Sequence, residues 1–301
     1  MKMQADQENR ILGCLLGGAI GDSFGSPYEG ASPPVELDPT VAPLLTDDTI
    51  LTLATCEAIV AEGCVDPAAI ARYLGNSFQA GRVVGIGAST YKALSELAAG
   101  GHWALCGSKG ERAAGNGAAM RIAPLAFFLD LDDAADRRTL RDVARITHHN
   151  EEAYVGALAI ALAVRIAWTD RWPQSDDLIS MLIPLLPDSR VRETLEDMAG
   201  VDSTLPLLEV ASRYGTSGYV AESVPMAMWA AQRVWTLGFE SMIREIIRCG
   251  GDTDTIASMA GQIAGTLVGT EGLPRLLLQR LPDREAILNV AERLAAMVTV
   301  L

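Results

Sequence analysis

Apolar residues recur along most of this chain at the three- and four-residue spacing of a helix face. No run of alternating β-branched residues, the pattern typical of strands, stands out. We therefore predict an all-α fold. The helical patterns cover residues 11–24, 50–60, 67–80, 88–99, 117–129, 134–148, 151–168, 175–184, 190–199, 221–237, 239–249, 256–268 and 282–298.

The first helical pattern carries four glycines at four-residue spacing, namely Gly13, Gly17, Gly21 and Gly25. Small residues on one face of a helix allow a second helix to pack closely against it. The alternative is a glycine-rich phosphate loop, but neither GxxxxGK[ST] nor GxGxxG occurs there. We favour the packing interpretation.

Two short acidic segments each precede an apolar helical run. They are Thr46-Asp47-Asp48-Thr49 and Gly250-Gly251-Asp252-Thr253-Asp254-Thr255. Asp and Thr are common at helix N-termini, because the first backbone N–H groups lack partners within the helix. Two Asp residues at each end exceed what capping needs. If the two ends converge in the fold, they provide four carboxylates and several hydroxyls, which suit a hard divalent cation.

The length of 301 residues allows one large domain or two small ones. No stretch between the two acidic segments has the composition of an interdomain linker, so we predict a single domain over residues 1–301. The hydrophobic content of 49% with only 5% aromatic residues suits closely packed helices.

The net charge of −14 is not offset by any basic stretch. Nucleic acid and anionic membranes are therefore unfavourable partners, and an anionic ligand would have to be held by backbone N–H groups, helix N-termini or metal ions. The five cysteines are scattered and form no CxxC pair, which favours a reduced compartment. The longest apolar stretch, from Tyr154 to Val164, is too short to span a bilayer. We expect a cytoplasmic protein.

Five motifs occur in a characteristic order along the chain. They are Gly17-Gly18-Ala19-Ile20-Gly21-Asp22, the first acidic segment, Gly115-Asn116-Gly117-Ala118-Ala119-Met120-Arg121, Thr147-His148 and the second acidic segment. Together they resemble the ADP-ribosylglycohydrolase family, which includes dinitrogenase reductase-activating glycohydrolase. The resemblance covers about Ile11 to Val268. It implies an all-α, monomeric domain with two Mg²⁺ or Mn²⁺ ions at the base of an ADP-ribose cleft.

The resemblance also assigns metal ligands. In the first acidic segment they are Thr46, Asp47 and Asp48, and in the second they are Asp252, Asp254 and Thr255. The chemistry agrees, because oxygen donors without nearby Cys or His select Mg²⁺ or Mn²⁺ over zinc. Asp22 is either a carboxylate behind these ligands or a packing residue.

Further residues match the parts of the family that face the substrate. Glu29 matches a mobile-loop glutamate with a role in proton transfer or metal gating, although it is also consistent with a solvated loop carboxylate. With Asp47 and Asp252 it forms the implied catalytic set. Gly115, Asn116 and Gly117 match a stretch whose backbone follows the phosphates and ribose of the ligand.

Other matches leave two interpretations open. Gly85 and Gly87 belong to a second loop facing the phosphates. His148 matches a histidine near the nucleotide, but a histidine at a helix end is often a structural cap. Tyr219 lies in a loop on the adenosine side, where a plain packing role is equally consistent.

The resemblance implies hydrolysis of the C1″ glycosidic bond of an ADP-ribosyl group, with release of ADP-ribose. The alternatives are hydrolysis of a small derivative such as acetylated ADP-ribose, and a non-catalytic ADP-ribose-binding or immunity protein. Some arginine-directed relatives have an acidic residue where this chain has Gly85. The sequence does not identify the acceptor from which ADP-ribose would be removed.

Overall fold

The computed structural model describes residues 2–170, 172 and 177–298, with the side chains of residues 2–5 excepted. Within these residues the chain is almost entirely helical, as predicted. The helices are α1 (Lys2–Gly25), α2 (Asp47–Glu62), α3 (Pro67–Gln79), α4 (Ala88–Ala98), α5 (Trp103–Cys106), α6 (Ala134–Arg145), α7 (Glu151–Trp168), α8 (Leu178–Leu182), α9 (Arg190–Ala199), α10 (Leu207–Tyr214), α11 (Val220–Ala231), α12 (Val234–Leu237), α13 (Phe239–Arg248), α14 (Thr253–Val268), α15 (Arg275–Arg280) and α16 (Arg284–Val298).

Short segments complete the described chain. The 3₁₀ helices are Ser26–Tyr28, Glu111–Ala113, Ala119–Arg121, Ala123–Phe127, Ile183–Leu185 and Thr270–Gly272. Two strands of two residues each, β1 (Ser108–Lys109) and β2 (His148–His149), pair in parallel.

Helices α7, α11 and α14 form the centre of the fold. Their residues are apolar on nearly every side, and almost all of them are buried. A helix that is apolar all round requires neighbours on all faces, and these helices pack against one another and against α1 and α9. One continuous hydrophobic core results, consistent with a single compact domain. None of the described helices is both long and apolar enough to cross a bilayer.

The glycine stripe of α1 faces α14. A Cβ atom at Gly13 would collide with the carbonyl oxygen of Gly265, and one at Gly17 with that of Gly261. Farther along, Gly25 lies against Thr253 at the start of α14. The two helices therefore run antiparallel with their backbones in contact, which confirms the packing interpretation. This contact brings the C-terminal end of α1 beside the N-terminal end of α14.

Several predicted helices differ from the structure. The pattern over 117–129 is not one helix but two 3₁₀ segments, since Pro124 lacks the N–H that would continue an α-helix across it. The pattern over 221–237 is interrupted at Gln232 and Arg233, between α11 and α12. The short helices α5, α10 and α15 were not predicted. The pattern over 175–184 lies partly outside the described residues, which show α8 from Leu178.

Substituting alanine at two helical glycines should have opposite effects on stability. Gly17→Ala forces α1 and α14 apart and should lower the free energy of unfolding by about 1–3 kcal/mol. Gly75→Ala, within α3, should raise it by about 0.5–1 kcal/mol, because Leu97 Cβ at 3.6 Å leaves ordinary contact space. Urea unfolding measures both variants. A Gly17→Ala protein as stable as the wild type would contradict this description of the helix contact.

Candidate metal centre and its cleft

The first acidic segment forms the N-terminus of α2. Thr46 is the N-cap residue, and its hydroxyl oxygen accepts a hydrogen bond from the backbone N–H of Asp48 at 3.4 Å. The backbone N–H of Asp47 donates instead to the carbonyl oxygen of Val84 at 2.8 Å. Thr46 and Val84 thus supply acceptors for the first N–H groups of α2, and Asp47 and Asp48 are both buried.

The second acidic segment forms the N-terminus of α14 after a tight glycine turn. Gly250 and Gly251 have φ values of +65° and +74°, which glycine adopts without strain. A Cβ at Gly251 would collide with Thr216, to whose carbonyl oxygen the Asp252 N–H donates at 2.7 Å. The Thr253 hydroxyl donates to the carbonyl oxygen of Gly25 at 2.9 Å. The turn therefore fixes α14 against the end of α1.

The two acidic segments converge. Carboxylate oxygens of Asp48 in α2, Asp254 in α14 and Asp22 in α1 lie within 4.8 Å of one another, and all three residues are buried. The Thr255 hydroxyl donates to Asp48 Oδ2 at 3.1 Å, so a hydrogen bond joins the two helix N-termini directly. The convergence on which the metal prediction depended is therefore present.

Asp22 is the member of this cluster whose role the sequence did not determine. Its carboxylate accepts hydrogen bonds from the backbone N–H and the hydroxyl of both Thr46 and Thr49. These four donors satisfy both oxygens and attach the N-terminus of α2 to α1. The structure thus places Asp22 directly behind the ligand-bearing segment. The sequence signal was only its position next to Gly21 in the glycine stripe.

The cluster is electrostatically unfavourable without a cation. Among the described residues, no Lys or Arg side chain forms an ion pair with an aspartate of the cluster or with Asp47 or Asp252. Burial, and then the charge of Asp22, raises the pKa of Asp47 to about 7. Burial, and then Asp252, raises the pKa of Asp254 to about 9.

One atom of the cluster has no partner at all. Asp48 Oδ1 is buried and lacks a hydrogen bond, although an isolated carboxylate oxygen in the interior is costly. The donors around it are carboxylate and hydroxyl oxygens, which are the ligands that Mg²⁺ and Mn²⁺ prefer. The residues present therefore fit a divalent metal ion, and Asp48 Oδ1 is the clearest candidate ligand atom.

An open cleft of about 540 Å³ lies above the cluster. Most of the residues predicted from the sequence line it, namely Glu29, Asp47, Gly85, Gly87, Gly115, Asn116, Gly117, His148, Asp252, Asp254 and Thr255. Thr46 and Asp48 are buried beneath it. Tyr219 is not among the lining residues. Its backbone pairs with Gly115, and the residue is 38% exposed, so its place on the adenosine side stays a prediction.

Glu29 stands at the edge of the cleft on the loop after Ser26–Tyr28. Its side chain is exposed, and the neighbouring Gly30 N–H donates to the Gly251 carbonyl oxygen at 2.8 Å. Partial burial, and then the charge of Asp252, raises the pKa of Glu29. The loop is therefore attached to the turn before α14. The carboxyl group of Glu29 lies close enough to Asp252 to be affected by its negative charge.

The glycine stretch 115–117 forms one wall. The Asn116 N–H donates to the Gly218 carbonyl oxygen at 3.1 Å, and its side-chain amide donates to Asp252 Oδ2 at 2.7 Å. A Cβ at Gly117 would lie 2.8 Å from His148 Cε1, so glycine is required there. His148 is buried, and burial followed by the charge of Arg121 lowers its pKa to about 3.

Several residues of the cleft were not predicted from the sequence. Arg112 is the one Lys or Arg among the described residues that line the cleft, and Ser217 and Met120 also contribute. The first turn of α4, which begins after Gly87, lines the cleft with Ala88, Ser89 and Thr90. The predicted start of a helix after Gly87 could have indicated this part of the cleft, because a helix N-terminus attracts anions. Nothing in the sequence distinguished Arg112 from other loop arginines.

The stability of the metal-free protein should depend on pH in a defined direction. Because their pKa values are raised, the Asp47 and Asp254 carboxyl groups bind more protons in the folded state than in the unfolded state, whose aspartates have pKa values of about 4. The lowered pKa of His148 has the opposite effect below about pH 6.5, but it is one group against two. The free energy of unfolding should therefore fall as pH rises from about 4 to 7, by up to about 1.4 kcal/mol per pH unit for each such group.

Melting temperatures of chelator-treated protein between pH 5 and pH 8 measure this dependence. Added Mg²⁺ or Mn²⁺ should raise the melting temperature more at pH 8 than at pH 5. Asp254→Asn should flatten the profile, whereas Asp133→Asn, at the exposed N-cap of α6, should leave its slope unchanged. A melting temperature that rises with pH in the absence of metal would contradict the electrostatic description.

Comparisons with known proteins agree with the fold. The family model described as ADP-ribosylglycohydrolase matches residues 3–300. The protein is 30% identical to ADP-ribosylarginine hydrolase Tri1 of Serratia proteamaculans, over 98% of this chain and 81% of that protein. It is 28% identical to human ADP-ribosylhydrolase ARH3, over 88% and 87% of the two chains.

A solved structure, described as an ADP-ribosylglycohydrolase-related protein complex, superposes with a TM-score of 0.72 at 28% identity. The alignment covers 98% of this chain and 99% of that one. With the family model matching nearly every residue, this chain belongs to the ADP-ribosylglycohydrolase family and is an ADP-ribosyl hydrolase.

Proposed function

We propose that this protein removes ADP-ribose from a modified acceptor by metal-dependent hydrolysis of the C1″ glycosidic bond. The observation that carries the proposal is the unpartnered Asp48 Oδ1 within a buried aspartate cluster at the base of an open cleft. An oxygen-only cluster fits a hard cation, and the cleft above it has the volume of a typical ligand site. The family and the names of the relatives support the same chemistry.

Two Mg²⁺ or Mn²⁺ ions are the proposed cofactors. Their ligands would be Thr46, Asp47, Asp48, Asp252, Asp254 and Thr255. When bound, the ions supply positive charge that orients the ribose hydroxyl groups and activates a water molecule. Asp22 would not bind metal directly, because four hydrogen-bond donors already occupy its oxygens. Its role is to hold Thr46 and Thr49 in place.

The diphosphate of the substrate would lie along the glycine walls. Backbone N–H groups near Gly85, Gly87, Gly115 and Gly117 allow close approach of anionic oxygens, and the N-terminus of α4 adds its dipole. Arg112 supplies a positive charge at the lining of the cleft. These local donors suit a protein whose net charge of −14 would otherwise repel an anion.

Three carboxyl groups would act on the reacting bond. Cleavage at C1″ develops positive charge on the sugar, which the carboxylates of Asp47 and Asp252 at the base of the cleft stabilise. Glu29 is exposed and has a raised pKa, so it can exchange a proton with a water molecule or with the leaving group. We assign proton transfer to Glu29.

Gly85 is relevant to the question of which acceptor group the protein separates from ADP-ribose. An assay has to identify that acceptor. Its φ of +76°, and the 3.1 Å that would separate a Cβ there from Thr46 Cβ, disfavour an acidic residue at this position. Since Gly85 occupies the matching position, this loop lacks the acid found there in some arginine-directed relatives. Relatives named as arginine hydrolases nevertheless keep that linkage among the candidates.

ADP-ribose release tests the proposal directly. The substrates are arginine-, serine- and nucleic-acid-linked ADP-ribose and acetylated ADP-ribose, each assayed with Mg²⁺ and with EDTA. Wild-type protein should release ADP-ribose from one linkage only in the presence of metal. Asp252→Ala should lose about a thousandfold or more, since a catalytic metal contributes several kcal/mol. Asp66→Ala, at the half-buried N-cap of α3 and not among the residues that line the cleft, is the matched control.

Two outcomes would reject hydrolysis of these substrates. Tight ADP-ribose binding without release from any linkage would indicate a binding protein. A stable complex with an ADP-ribosyltransferase that survives mutation of the aspartates would indicate occlusion by an immunity protein.

Replacing the proposed proton-transfer group should affect turnover and not metal binding. Glu29→Gln should lower kcat by about a hundred- to ten-thousandfold and remove one limb of the pH–rate profile. Calorimetry should show unchanged Mn²⁺ affinity. Glu36→Gln, at an exposed position farther along the same loop, should behave as the wild type. Normal turnover by the Glu29 variant would assign the proton transfer to another group.

A further inference from the structure

Arg121 is a completely buried arginine without an acidic partner among the described residues. One terminal nitrogen, Nη2, donates to the carbonyl oxygen of Val143 at 3.3 Å and to the hydroxyl oxygen of Thr147 at 2.8 Å. Burial lowers the pKa of Arg121 only to about 10, so the side chain is positively charged at neutral pH.

This contact determines the direction of the Thr147 hydroxyl. A guanidinium group has donors and no acceptor, so the Thr147 oxygen accepts from Arg121. The hydroxyl hydrogen then needs an acceptor, because Thr147 is fully buried and an unsatisfied buried donor is costly. Among the described residues, the other hydrogen-bond partner of this oxygen is His148 Nδ1, at 2.9 Å. The hydroxyl therefore donates to Nδ1.

A neutral imidazole that accepts at Nδ1 carries its hydrogen on Nε2. His148 lines the cleft, and Nε2 lies 3.1 Å from the position of a Cβ at Gly115. The hydrogen on Nε2 is thus available to the cleft beside the 115–117 wall. In the opposite tautomer, the Thr147 hydroxyl would lose its acceptor and His148 would present a lone pair to an anionic ligand.

We infer that Arg121 and Thr147 are positioning residues that fix His148 in the Nε2–H tautomer, so that it donates a hydrogen bond to a phosphate oxygen of the ligand. The charge of Arg121 polarises the chain from guanidinium through hydroxyl to imidazole, which strengthens the terminal donor. The ligand part of this inference rests on the proposed function, whereas the tautomer does not.

The tautomer is measured in the wild-type protein before any substitution. Long-range ¹H–¹⁵N correlation spectra of protein labelled at its three histidines distinguish Nε2–H from Nδ1–H. His148→Gln assigns the signal by its loss. The expected result is Nε2–H for His148 with and without ADP-ribose. An Nδ1–H tautomer in the wild type would overturn the inference.

Two variants of Thr147 separate positioning from packing. Thr147→Val keeps the shape but removes the hydroxyl, so it should lose the Nε2–H preference and weaken ADP-ribose binding by about tenfold. Thr147→Ser restores the hydroxyl and should restore both properties. Mn²⁺ affinity should be the same in all three proteins.

A Thr147→Val protein that keeps the Nε2–H tautomer would overturn the role of Thr147. An altered tautomer with unchanged ADP-ribose affinity would overturn the donor role of His148. If the wild type shows Nε2–H but binds no ADP-ribose, the proposed function and the assignment of the ligand fail together, and the tautomer assignment stands.

Discussion

The close contact between α1 and α14 is the constraint on which the candidate site depends. Glycines let the two backbones touch along several turns, and the contact ends where Gly25 meets Thr253. Asp22 and Asp254 therefore lie close together, one near the end of α1 and the other at the start of α14. A larger residue within the stripe would separate these carboxylates by separating the helices.

The carboxylate cluster is held together by neighbouring groups and not by its own charge. Hydroxyls and N–H groups of Thr46 and Thr49 satisfy Asp22, and Thr255 donates to Asp48. These contacts offset part of the cost of burying several acids at one place, but they leave Asp48 Oδ1 without a partner. A cation at this point would stabilise the fold and complete the proposed site at the same time.

Much of the candidate site could be predicted from the sequence, because the patterns that indicate it lie within short segments of the chain. Each signal can be recognised within a few consecutive residues. The signals are the two excess aspartates at a helix start, the glycine stripe and the glycine-rich loop. Features that depend on distant contacts were not readable. The four donors around Asp22 come from Thr46 and Thr49 at the start of another helix, and the pairing of the Tyr219 backbone with Gly115 joins two distant parts of the chain. The pattern over 117–129 failed because Pro124 outweighs apolar spacing.

Location of the ion by anomalous diffraction is the most direct test that the aspartate cluster is a metal centre. Crystals grown with Mn²⁺ would be measured near the manganese absorption edge. We predict anomalous peaks within bonding distance of Asp48 Oδ1 and of the Asp254 carboxylate. Peaks confined to the protein surface, with this cluster empty at saturating Mn²⁺, would contradict the account.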